Sequence, residues 1–264
     1  MKIFILTSSL NGITAFSLPY LLSSKKIRIS GVVLINKISS NQISIIKKKI
    51  RKTLKIGVLG ALNGLRMRKW YKEDVSELLK YSDLRTVCSK ADLQLFEINN
   101  GSYKEVEEII KSLNADLGIS LENTYIPERI FSIPKSGMIN VHHELLPEYQ
   151  NAQSVIWPIY NGLDRTGFTI HKVNRGIDEG DILYRKTAEI EFKNYLSTTV
   201  TYNYAKLWKD SAKGLLSLLE NYQHYDAKSY SQGLGYKYTT PSIKQMFKIY
   251  RNFYSLKKQK EIPQ

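Results

Sequence analysis

The sequence predicts an α/β protein with a doubly wound, mostly parallel sheet. Residues 1–190 alternate short apolar runs with helical stretches, the order in which strands and their covering helices appear in such folds. Two of the runs, KIFILTS at 2–8 and ISGVVLIN at 29–36, are near-continuous in apolar character, as parallel strands covered on both faces require. No GxGxxG follows the first run and no GxxxxGK[ST] occurs, so neither a dinucleotide fingerprint nor a phosphate-binding P-loop is offered.

The elements follow in order. After the first strand, the polar stretch SSLNG forms a loop and residues 13–24 a helix. Residues 43–82 read as a basic helical insertion in several pieces, ahead of a strand at 93–98 (LQLFEI). Ser102 stands at the N-cap position of a helix over 102–113, because its hydroxyl can accept from the free N–H groups of the first turn. Strands are expected at 115–121, 137–142, 166–173 and 182–190, and a long helix at 195–221. The residues after Leu219 carry turn signals in YKYTTPS and are too few for an independent domain. The expected division is a main domain over 1–190 and, over 191–264, a helix with a β-rich tail, a short helix-plus-hairpin extension.

The formal charge of +15 is unevenly placed: no Asp or Glu precedes Glu73, residues 1–72 hold 15 Lys and Arg, and the remainder carries 24 of each sign. Ten of the early cations lie between Lys47 and Lys72, so basicity belongs to one segment. That segment fits a solvated helical face, an amphipathic helix lying on a membrane surface, or a polyanion site. The first is preferred, because Ile43, Ile45, Ile46, Ile50, Leu54, Ile56, Val58, Leu59 and Leu62 suffice to pack one side while the cations face outward. Peripheral membrane contact through 43–72 stands second, and nucleic acid is disfavoured. A lone cysteine, Cys88, points to a reducing compartment and hence to the cytoplasm. The first strand, whose longest unbroken apolar run is Ile3 to Leu6, reads as buried structure and not as a secretory leader. IGVLGAL at 56–62 is far short of the roughly 20 residues that cross a bilayer.

Chemistry concentrates in GMINVHHELLPEYQNAQSVIWPIYNGLDRTGFTIHKVNRGIDEGDILY, residues 137–184. Asn140 and His142 are two apart on a strand, so their side chains share a side. An amide and an imidazole presented together can hold an oxyanion and move a proton at one carbonyl. Asp178, in the GIDEGD turn, is the carboxylate placed to reach the imidazole. Taken alone, an N-x-H pair is more often structural, and DEGD also suits an Asx-type turn or a weak cation site.

N-x-H, then L-P, then T-G-x-T-I-H, then G-x-D-x-G-D-I, in this order and at this spacing, resembles the folate-dependent formyltransferases. That family includes glycinamide ribonucleotide transformylase, methionyl-tRNA formyltransferase and the sugar N-formyltransferases. The similarity is strongest over 112–190 and extends back to residue 1. It implies the Rossmann-like formyltransferase fold, with Asn140, His142 and Asp178 as a catalytic trio, 10-formyltetrahydrofolate as co-substrate and no metal. The implied reaction passes a formyl group to a primary amine, with the oxyanion held by Asn140 and a protonated His142 whose charge Asp178 favours. By position, the resemblance puts the pterin against Leu121, Tyr125 and Ile126, against Asn174, Arg175, Gly176 and Ile177, and against a wall of Leu145, Leu146 and Pro147.

Two residues depart from the family pattern. Glu144 replaces a small residue and Asn151 a glycine, and both loops are expected to face the site and reshape acceptor binding. His143 has no catalytic counterpart. His171 is expected to be a hydrogen-bonded core residue, and Trp157 with Tyr160 to be packing. By elimination the acceptor is a small-molecule amine of a nucleotide-linked amino sugar, ahead of methionyl-tRNA and glycinamide ribonucleotide; a non-catalytic surface-binding protein using 43–72 is the alternative of another class. A homo-oligomer stays open.

Overall fold

In a computed structural model of the chain, residues 1–38, 47, 50, 51, 53, 54, 56–123 and 125–261 are described. The elements run β1 (Lys2–Thr7), α1 (Ile13–Leu22), β2 (Arg28–Ile38), α2 (Val58–Tyr71), α3 (Glu73–Leu79), α4 (Leu84–Lys90), β3 (Leu95–Gly101), α5 (Tyr103–Leu113), β4 (Leu117–Leu121), α6 (Glu128–Phe131) and β5 (Met138–His142). They continue with α7 (Ile156–Tyr160), β6 (Arg165–Lys172), β7 (Ile182–Glu189), α8 (Leu196–Glu220), α9 (Tyr222–Ala227) and α10 (Ile243–Glu261). The strands form one sheet in the order β3-β2-β1-β4-β5-β6-β7. Neighbours from β3 to β5 pair in parallel, and β6 and β7 are antiparallel additions.

The two apolar runs behave as their composition demands. β1 is buried along almost its whole length and β2 through Gly31–Leu34, because helices cover both faces of the sheet. On one face α1 and α8 pack Leu18, Leu21, Trp208 and Leu215 against Ile3, Ile5 and Ile119. On the other, Val106, Ile110 and Leu113 of α5 meet Phe4, Leu6 and Val33. α5 begins as expected, the Ser102 hydroxyl accepting from Glu105 N–H. Gly118 in β4 leaves room for the Phe4 ring and Met138 side chain, which a Cβ there would meet at 2.7 and 2.6 Å.

Two expectations are corrected. The calls on Ile43, Ile45 and Ile46 lie outside the described residues; of the rest, Ile56 is buried and Arg51, Arg66, Arg68 and Lys69 are exposed as expected, but the other aliphatic residues are not buried. Ile50, Leu54, Val58, Leu59 and Leu62 are exposed, and the stretch packs instead through Ile56, Gly60, Met67 and Trp70. Glycines at 60 and 64 allow this, since a Cβ on either would press on Ser242 or Thr240. The second concerns the tail, which is helical where a hairpin is expected. α10 buries Met246, Ile249 and Phe253, a spacing of three and four that defines one helical stripe, and among the described residues of the tail strand-like pairing is confined to single bridges at Tyr230 and Lys237. That stripe joins Met67, Trp70 and Trp157 in a third core.

Phe253 is fully buried there. Phe253→Ala is expected to cost about 3–5 kcal/mol in urea unfolding, the usual range for an aromatic removed from a core; a loss below about 1 kcal/mol would mean that α10 is not part of the folded unit.

Candidate active site

The sheet changes direction between β5 and β6, and the site is built at that change. Asn140 and His171 face each other directly across this antiparallel pair, as do His142 and Thr169. Asn140 and His142 are half-buried while Val141 between them is buried, the period of two placing both polar side chains on one side. The loop between β6 and β7 then folds back and brings Asp178 to both imidazoles. Its Oδ2 lies 3.6 Å from His142 Nδ1 and its Oδ1 3.5 Å from His171 Nε2.

Acceptors fix the ring tautomers. His171 Nδ1 is 2.9 Å from the Lys172 carbonyl, so it carries the proton, and Nε2 is left to accept from the Asn140 amide at 3.1 Å. His142 Nε2 is 2.8 Å from the Tyr149 carbonyl and donates to it, which turns the Nδ1 lone pair toward Asp178. The carboxylate has its own donor, Asn151 N–H at 2.9 Å. Asp178 and Asn151 both sit in the left-handed region, at φ 56° and 52°, a conformation that Asp and Asn adopt more readily than most residues. Behind the loop, the Gln232 amide donates to the carbonyls of Asp178 and Gly180 at 3.1 and 2.6 Å.

Burial pulls the His142 imidazole below its ordinary pKa, outweighing the Asp178 charge and the Tyr149 carbonyl, which act upward. Burial thus opposes the charged imidazole, while Asp178 and the Tyr149 carbonyl favour it. Burial alone would raise the Asp178 carboxyl, but His142, His171 and Asn151 N–H together hold it well below the usual carboxylate range. An imidazole and an ionised carboxylate therefore lie side by side. A proton arriving at His142 Nδ1 would leave both ring N–H groups pointing at acceptors, so the arrangement is a proton acceptor whose charged form is already provided for.

A cavity of about 490 Å³ opens over this group, within the span usual for small-molecule sites. Asn140, His142, His171, Asp178 and Asn151 form its polar floor, and Tyr125, Ile126, Asn174, Gly176 and Ile177 are among its walls. Other expected wall residues are not brought to it. Leu121, Leu145 and Leu146 are buried in the packed cores, Pro147 does not line the cavity, and Arg175 turns outward to pair with Glu128 at 2.7 Å. Glu144 is also elsewhere: fully buried, it accepts from Val155 N–H and the Thr166 hydroxyl, both at 2.7 Å, and so staples the loop after β5 to β6. His143 does line the cavity, its ring against Tyr204 and bound to Ser211 at 3.1 Å, and burial pushes its pKa down to about 3.

Several cavity residues were not singled out in the sequence, among them Glu122, Tyr204 and Gln153. Glu122 follows β4 at φ 56° and accepts from Ile13 N–H at 2.9 Å in the first turn of α1, with burial pushing it up to about 7. Tyr204 of α8 and Gln153 complete the wall. Position at the end of a parallel strand was the available signal for Glu122; nothing local marks Tyr204.

A family model described as formyl transferase matches residues 32–214. The chain belongs to the formyl transferase family. Methionyl-tRNA formyltransferase of Ehrlichia ruminantium is 33% identical over 123 residues, 46% of this chain and 41% of that protein, so the match spans about two fifths of that relative's length. Among solved structures, glycinamide ribonucleotide transformylase 1 from Symbiobacterium toebii superposes with a TM-score of 0.56 at 11% identity, over 89% of this chain and 92% of that one. An N-formyltransferase from Helicobacter canadensis, solved with folinic acid and dTDP-3-aminofucose, gives 0.53 at 17%, over 96% and 80%. These likenesses establish the formyl transferase fold for the seven-stranded sheet and its helices.

Glu144 carries a test of the staple, because burial pushes its pKa up to about 7 from an unfolded value near 4.3. An acid whose folded pKa is raised binds its proton more tightly when folded, so stability falls as pH rises between those two values and is level above the upper one. In urea unfolding from pH 5 to 8, Glu144→Gln is expected to lose part of that decline, up to about 1.4 kcal/mol per pH unit within the window, leaving the share contributed by Glu122. An unchanged slope would show that Glu144 is ionised throughout.

Proposed function

We propose that the chain transfers a formyl group from 10-formyltetrahydrofolate to a primary amine. The observation that carries this reading is the convergence of Asn140, His142 and Asp178 at one cavity in a member of the formyl transferase family. The cavity also suits the co-substrate. Ile126, Val173 and Ile177 offer apolar walls to a flat heteroaromatic ring, and the backbone groups of residues 174–177 are available to its polar edge. When bound, the folate supplies the formyl group in activated form.

The roles of the chain's own residues follow from the geometry. Asn140 spends one amide N–H on His171, which fixes the plane of the amide and leaves the second N–H for an oxygen gaining negative charge. His142 Nδ1 and the Asp178 carboxylate, side by side, are the acceptors for the proton that an attacking amine must lose. His171 is a positioning residue for both Asn140 and Asp178.

For the acceptor, we favour a nucleotide-linked amino sugar. The sugar N-formyltransferases among the fold neighbours support that class, and the size of the cavity is compatible with a small acceptor. The Ile13 N–H in the first turn of α1 already donates to Glu122, so the acceptor's phosphates would be held elsewhere. Methionyl-tRNA is the second reading, favoured by the sequence relatives over the matched segment.

Following tetrahydrofolate release with 10-formyltetrahydrofolate and single acceptors, one amino-sugar nucleotide is expected to accelerate turnover. His142→Ala and Asp178→Asn are each expected to lower kcat at least about 100-fold, the scale of lost acid–base and oxyanion terms. Changes under about threefold would remove the trio from the mechanism.

A further inference from the structure

α2 presents an outer face that no described residue covers. Val58, Leu59, Leu62 and Leu65, spaced as one helical stripe, are each more than half exposed, as are Ile50 and Leu54 before α2. The opposite side of α2 is already committed to the core through Gly60, Met67 and Trp70. A row of aliphatic side chains this continuous on a surface marks a contact site.

The surroundings are strongly cationic. Arg51, Arg66, Arg68 and Lys69 are exposed along the same stretch, and the chain has no acidic residue before Glu73. α10 lies alongside, joined by Arg66 Nη2 to Tyr250 Oη at 2.7 Å, and adds exposed Phe247, Lys244 and Arg251. We propose that this face docks on a bilayer surface rich in anionic lipid, the aliphatic stripe entering the headgroup boundary and the cations lying at the level of the phosphates. A second copy is a poorer occupant, because pairing the faces would set like charges together. A nucleic acid would use the cations but leave the aliphatic row without a partner, since stacking on bases needs aromatic rings.

This surface is separate from the formyl-transfer reading, and its test needs no turnover. The full chain is sedimented with vesicles of phosphatidylcholine alone and of equal parts phosphatidylcholine and phosphatidylglycerol. Partitioning is expected to be at least about 10-fold stronger on the anionic vesicles and to weaken as salt is added. Leu62→Glu/Leu65→Glu should lower it about 10-fold, while Arg68→Gln/Lys69→Gln should erode the preference for anionic lipid; both pairs are exposed, and circular dichroism checks that the variants fold. Three results would overturn the proposal. These are no binding of folded wild type to anionic vesicles, binding that both double variants retain, or sedimentation of the chain as a dimer that Leu62→Glu/Leu65→Glu dissociates.

Discussion

The carboxylate of Asp178 is the charge on which the site's geometry depends. It is largely buried beside two imidazoles, and a charge there is tolerable only if donors and cations offset its lost hydration. One donor is a backbone N–H, that of Asn151, and another contact is His171, held in register opposite Asn140 by the β5–β6 ladder. The antiparallel addition to an otherwise parallel sheet is thus what lets residues from two strands and a returning loop meet at one point. The antiparallel pairing of β7 with β6 in turn allows the short loop that carries Asp178, where a parallel β7 would need a long crossover.

That loop is supported from behind by the part of the chain whose structure was least expected. Gln232 binds the carbonyls of Asp178 and Gly180, and Gln150 exchanges backbone hydrogen bonds with Tyr236 and Tyr238 next to Asn151. Two left-handed residues, Asp178 and Asn151, are therefore each clamped by 230–238. Backbone held in a sparsely populated region persists where its surroundings over-determine it, and here the determination comes from the segment linking α9 to α10.

The strands and the placement of Asn140 and His142 on one side of β5 were legible because each rests on a local pattern. Continuous apolar runs gave β1 and β2 their burial on both faces, and the two-residue spacing of Asn140 and His142 gave their common side. What failed to show depends on partners distant in sequence. Leu145 and Leu146 look like a binding wall in the run LLP, yet Glu144, stapled to Val155 and Thr166, draws this loop inward and commits both leucines to the core. Glu122 is an ordinary residue until β1 and β4 bring Ile13 beside it. That Val58, Leu59 and Leu62 of α2 lie outward was hidden for a similar reason. Either side of VLGALNGL can supply apolar contacts, and the choice was made by Gly60 and Gly64, whose missing side chains admit residues 240–242.

That choice also links the outer helix to the chemistry. At the C-terminal end of α2 the Tyr71 hydroxyl donates to the Ser154 carbonyl at 2.5 Å, and Trp70 O accepts from Thr201 of α8. Ser154 belongs to the short segment that starts at Asn151, the donor to Asp178, and ends at Val155, the donor to Glu144. A helix fixed at this point cannot shift without moving residues 151–155, and through them the hydrogen bond that orients the Asp178 carboxylate. The exposed aliphatic face and the cavity are therefore presented by one connected framework.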